Sequence, residues 1–142
     1  GETLSLPAVN AVIKKYESQN VPKYLEEIGT YLLGQLNQLI NSENLGDIFW
    51  TSGHPTWIFL HIKEQKEYFS FEIQTFFLQE MFKRGILTLG SHNLSFSHTK
   101  EDIDRLMKVY AEVLPMIKHH INNKDLLENI QGEILKPLFK VR

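Results

Sequence analysis

Residues 71–104 read FEIQTFFLQEMFKRGILTLGSHNLSFSHTKEDID, and this stretch decides the fold. Phe71, Phe76, Phe77, Leu78, Met81 and Phe82 form a wide apolar stripe, with Glu72, Gln79, Glu80, Lys83 and Arg84 elsewhere around it, which predicts a helix over 71–84. Arg84 suits the negative end of that helix, and Gly85 suits a left-handed stop just past it. Ile86 to Leu89 then predict a short buried strand and Gly90-Ser91 a turn. From Asn93 the residues alternate, with Leu94 and Phe96 on one face and Asn93, Ser95 and Ser97 on the other, so a strand is expected over 93–98. Thr99 followed by Asp102 is a capping-box pattern, and Glu101, Asp102 and Asp104 favour a helix N-terminus there.

Outward from this centre, Thr56 to Lys63 gives the cleanest alternation. Trp57, Phe59 and His61 share one face and Ile58, Leu60 and Ile62 the other, a strand over 57–62. Phe49 and Trp50 either start a further strand or cover the sheet edge, and Gly53-His54-Pro55 reads as a turn. On the C-terminal side, Ile103, Leu106, Met107, Tyr110, Leu114, Ile117 and Ile121 continue a helix over 100–121, which Pro115 should kink or interrupt. Asn122-Asn123 ends it, a short helix follows near 124–130, and an extended tail runs from Pro137.

The N-terminal part is helical. Leu4, Leu6, Ala8, Val9, Ala11, Val12 and Ile13 place apolar surface nearly all round a helix over 4–18, with polar residues only late, at Lys14, Lys15 and Glu17. Such a helix is either buried in the core or packed against protein outside this chain; the second arrangement leads to self-association of the chain alone. Pro22 opens a second helix that runs to Asn41, with Gly29 and Gly34 tolerated where another backbone packs close. The expected architecture is α+β: a small three-stranded antiparallel sheet covered on one face by helices 71–84 and 100–121. A helical arm, 1–42, precedes the α+β domain, 43–142.

Composition narrows the function. The chain has 142 residues, enough for one real core, and 15 basic against 17 acidic residues with no block of like charge. Nucleic-acid and acidic-membrane binding are therefore not expected. No cysteine is present, which removes disulfide and thiolate chemistry and fits a cytoplasmic protein. No apolar run approaches the ~20 residues that span a bilayer. Six histidines raise the question of metal binding. His119 and His120 are adjacent and diverge on a helix, and His92 and His98 lie too far apart along a strand for one tetrahedral site, so no metal is expected. Ser95, Ser97 and His98 lack the glycines of a nucleophile elbow.

The runs QEMFKRGIL, GSHNLSFSHT and KEDIDRLMKVY resemble the C-terminal domain of class III pyridoxal-phosphate-dependent aminotransferases, in the group around glutamate-1-semialdehyde aminotransferase (2,1-aminomutase). The opening GETLSLPAVNAVI resembles the segment downstream of that family's cofactor lysine, and KPLFKVR resembles the group's ending. The resemblance spans nearly the whole chain and is weakest over 41–70. It implies the C-terminal small domain of a fold-type I pyridoxal-phosphate enzyme, about the last third of such a protein, and a homodimer. Its partner would be the large cofactor-binding domain of the same polypeptide, and pyridoxal phosphate would be bound by the full-length enzyme only.

No lysine here takes the place of the family's Schiff-base lysine, so the chain contains no expected catalytic or cofactor-binding residue and should be inactive alone. The resemblance places His92 and Asn93 on the substrate side of the active-site mouth; the alternative for them is a turn cap and a backbone partner at a strand start. Gly90-Ser91-His92-Asn93 departs from the aminomutase proper, which typically carries Pro-Ser and then a carboxylate here. A related aminotransferase with another amine donor or acceptor fits as well. The competing reading is a freestanding, non-catalytic α+β interaction or dimerisation module.

Overall fold

A computed structural model describes residues 3–136. The chain runs α1 (Ser5–Gln19), α2 (Val21–Ser42), β1 (Phe49–His54), β2 (Trp57–Ile62), α3 (Ser70–Lys83), β3 (Ser91–Asn93), α4 (Lys100–Asn123) and a 3-10 turn, Leu127–Asn129. The class is α+β, with a three-stranded antiparallel sheet in the order β1-β2-β3. The expected tail from Pro137 lies outside the described residues.

Alternation sets the register. β1 and β2 pair from Phe49↔Ile62 to His54↔Trp57, which turns Ile58 and Leu60 inward and Trp57, Phe59 and His61 away from the core. Phe49 starts a strand, as one of its two expected roles required, and is fully buried. Onto the inner face pack α2, α3 and α4. Leu36, Phe49, Phe76, Phe77, Tyr110, Leu114 and Ile117 form the centre of one apolar cluster, and Ile28, Leu32, Ile58 and Ile103 form a second beside it. Of the arm expected over 1–42, α2 therefore belongs to the core, and α1 alone stands clear. No residue of α1 is buried, and Leu4 and Leu6 are 79% and 72% exposed. Placement of this helix in the core, one of its two expected positions, is excluded.

Gly29 explains how α2 meets the sheet. A Cβ built there would lie 1.9 Å from the carbonyl oxygen of Pro55, so the hairpin turn sits directly on the helix backbone. Gly34 has no such neighbour within 4 Å, and close packing does not account for it.

Three expectations fail in instructive ways. Residues 86–89 do not form a strand: Gly90, at φ +85°, turns the backbone, and β3 begins only at Ser91. The strand expected over 93–98 is Ser91–Asn93 instead. Asn93 pairs with Trp57, the first residue of β2, so beyond it the hairpin turn leaves no strand to pair with. Leu94 and Phe96 keep apolar roles outside the sheet: Leu94 packs on the second cluster, and Phe96 meets Tyr24 edge-on, ring centres 5.0 Å apart. Pro115 does not interrupt α4, which continues to Asn123. The absent N–H would have bonded the carbonyl of Ala111; that residue is exposed, so water can serve the acceptor. Buried Val113, Leu114 and Ile117 hold the helix on both sides of the proline.

Candidate functional site

The decisive stretch builds a cleft. α3 ends at Lys83, Gly85 follows in the left-handed region at φ +76°, and residues 86–90 cross without regular structure to β3. This crossing faces the first turns of α4, where the Thr99 hydroxyl accepts from the Asp102 N–H and the Asp102 carboxylate accepts from the Thr99 N–H at 2.8 Å. Those bonds to Thr99 hold the Asp102 carboxyl below the usual carboxylate range. Two tyrosines of α2 fix the helix start: Tyr24 donates to the His98 carbonyl and Tyr31 to the Asp104 carboxylate, both at 2.6 Å. Between crossing and helix lies an open cleft of about 390 Å³, with Thr88, His92, Asn93, His98, Asp102 and Arg105 on its walls.

The two expected site residues both line this cleft, but they point differently. Asn93 is exposed, and among the described residues no hydrogen bond occupies its carboxamide. His92 points inward and is only 7% exposed. Its Nδ1 lies 3.2 Å from the carbonyl of Ile58 and its Nε2 2.7 Å from the Tyr110 hydroxyl. A carbonyl can only accept, so Nδ1 carries the proton; Nε2 is then the acceptor and Tyr110 donates to it. Burial pushes the His92 pKa down, against a smaller opposite effect of the Ile58 carbonyl, and keeps the ring neutral. Burial likewise pushes the Tyr110 hydroxyl up, an effect that Thr88 opposes. The sequence does not mark this tyrosine as polar machinery. Tyr110 reads there as one position of an apolar stripe, and its partner His92 lies 18 residues away.

A second surface flanks the cleft. On the outer sheet face Trp50 stacks on His61 at 4.8 Å, and Trp57 lies 5.2 Å from Phe59. Ser52 and His61 Nε2 are hydrogen-bonded at 2.6 Å across the β1–β2 pair. No charged partner orients His61 among the described residues, as the base of a nucleophile pair would need.

A pyridoxal phosphate site requires a desolvated lysine amine. Among the described residues no lysine is buried. Lys118, half-buried, gives its ammonium to the carbonyls of Glu43 and Asn44 at the end of α2, and Lys83 and Lys124 are in ion pairs. The residues present do not fit the cofactor, and no step of its chemistry can be derived on this chain. Among the described residues no group of three or more ligating side chains could hold a metal ion, and no helix is long and apolar enough to cross a membrane. Compared with known proteins, the chain is matched by no family model, no curated protein and no solved structure.

Proposed function

We propose that this chain is the C-terminal small domain of a pyridoxal-phosphate-dependent class III aminotransferase, similar to the glutamate-1-semialdehyde aminotransferase group. In that role it forms the substrate-side wall of an active site whose lysine and cofactor belong to a large domain of the same polypeptide. One observation carries the reading: the three runs that resemble the family, QEMFKRGIL, GSHNLSFSHT and KEDIDRLMKVY, are the sequences that build the cleft from the end of α3 to the start of α4. Asn93 supplies a free carboxamide donor and acceptor at the rim for a polar substrate, and Ile86 and Leu94 help keep water from one side. The enzyme would be a cytoplasmic homodimer, and the chain by itself would not catalyse.

The uncovered apolar surface of α1 supports the same reading, since a large domain would cover it. One observation favours the second reading, a freestanding non-catalytic interaction module: the core formed by α2, α3, α4 and the sheet is closed without α1. The reading frame upstream of Gly1 separates the two. An in-frame extension that carries a cofactor lysine, trapped by borohydride as a pyridoxyl adduct in the expressed protein, is the expected result. A stop codon or a start codon close to Gly1 overturns the aminotransferase reading and leaves the module.

A further inference from the structure

The crossing and β3 have little to hold them. β3 is three residues long and pairs with β2 on one side only. Leu87 and Leu89 are 90% and 72% exposed, so the crossing buries little apolar surface. What ties it down is a small set of hydrogen bonds. The Gly90 N–H donates to the Thr88 hydroxyl oxygen at 3.0 Å, and the Gly90 carbonyl accepts from the Leu60 N–H at 2.7 Å. At β3 the Tyr110 hydroxyl donates to His92 Nε2 at 2.7 Å, and His92 Nδ1–H to the Ile58 carbonyl at 3.2 Å. This relay starts at Tyr110, fully buried on α4, and ends on β2.

We infer that Tyr110 is a positioning residue: through His92 it fixes the backbone of β3 in the arrangement that presents the Asn93 carboxamide at the rim of the cleft. The presentation of Asn93 to a substrate rests on the function proposed above; the relay itself does not. Phenylalanine in place of Tyr110 would keep the ring in the core but leave His92 Nε2 without its partner, so β3 would lose its anchor to α4 while the core kept its shape. The charged and titratable groups around the cleft, His98, Asp102 and Arg105, lie on the helix side and do not bond to the imidazole.

The test is nitrogen-15 NMR of the imidazole rings in this chain, with amide exchange read at residues 88–93. Wild type should show the His92 ring as the Nδ1–H tautomer. In Tyr110→Phe the His92 titration midpoint should rise by about one pH unit, because the bond that favours the neutral ring is gone. Exchange at Leu89 to Asn93 should speed up by about tenfold or more, with α3 unaffected. Val113→Ala, which weakens the same helix by packing alone, should leave the tautomer and the midpoint unmoved.

An Nε2–H tautomer in wild type, or unchanged exchange in Tyr110→Phe, overturns the inference. These readouts need no activity, so their failure says nothing about catalysis. In a lysine-bearing parent enzyme, Tyr110→Phe should raise KM for the amine substrate more than it lowers kcat. Loss of the relay with unaltered KM in that variant removes the link to Asn93 and to substrate.

Discussion

Glu80 is the buried carboxylate of the described residues, 7% exposed on the inner side of α3. Its replacement by glutamine measures what its partners contribute. Burial alone would push its pKa up, but Lys83 at 2.8 Å, Arg84 at 2.7 Å and the Gln79 amide outweigh that and hold the carboxyl down to about 2, from an ordinary 4.5. Each pKa unit corresponds to about 1.4 kcal/mol, which gives a ceiling near ~3 kcal/mol. Lys83 and Arg84 keep 42% and 23% of their side chains in water, so screening reduces the figure to about 2 kcal/mol. The sign follows from the depressed folded pKa. The stabilisation is fully present above pH 4.5 and is lost as pH falls towards 2. Glu80→Gln cannot titrate, so the gap between the two proteins should be about 2 kcal/mol at pH 7, similar at pH 5, and clearly smaller at pH 3. Urea unfolding followed by the fluorescence of Trp50 and Trp57 reads this directly, provided the slope with urea is the same in both proteins. A gap that stays constant from pH 7 to pH 3 would place the loss in packing and refute the electrostatic argument. A gap under about 0.5 kcal/mol at pH 7 would mean that desolvation cancels the ion pairs.

Gly29→Ala should destabilise by about 1–3 kcal/mol because its Cβ meets Pro55 backbone, whereas Gly34→Ala, with open space, should stabilise by up to about 1 kcal/mol; opposite signs in thermal melts are the check. Leu6→Glu with Val9→Glu should leave the unfolding free energy within about 0.5 kcal/mol, since no residue of α1 is buried, and a larger loss would show that α1 supports the core. Asn93→Ala should likewise change the chain's stability by less than about 0.5 kcal/mol, and in a lysine-bearing parent it should raise KM at least several-fold; a pure stability loss would assign Asn93 to the turn.

Local signals were legible where the partner lies within a few residues. The Thr99–Asp102 box, the Gly85 stop, the 57–62 alternation and the limits of α3 all follow from such short-range chemistry. The strand at 86–89 did not form, because an apolar run says nothing about where the backbone turns away from its neighbour, as it does at Gly90. For the same reason the alternation from Asn93 to Phe96 was read as a strand, although β2 offers a partner only as far as Trp57. At the site, position was legible and orientation was not. The sequence marked His92 and Asn93 as a pair; β3 turns one to the core and the other to water, as consecutive strand residues must be. A register one residue away would have exchanged their roles.

That exchange shows why the short β3 matters more than its length suggests. A one-residue slip would expose the imidazole at the cleft and drive the Asn93 carboxamide into a site built for a ring between Ile58 and Tyr110. Sheet pairing alone is a weak guard, because β3 contributes only Phe59↔Ser91, Ile58↔His92 and Trp57↔Asn93. The slipped register is opposed instead by His92, whose two nitrogens find an acceptor and a donor only in the observed arrangement, and by Gly90, whose φ of +85° a slip would demand of Ser91. A buried polar pair thus selects one register of a strand too short to select it alone. The residue left facing outward, Asn93, owes its orientation to the neighbour that faces in.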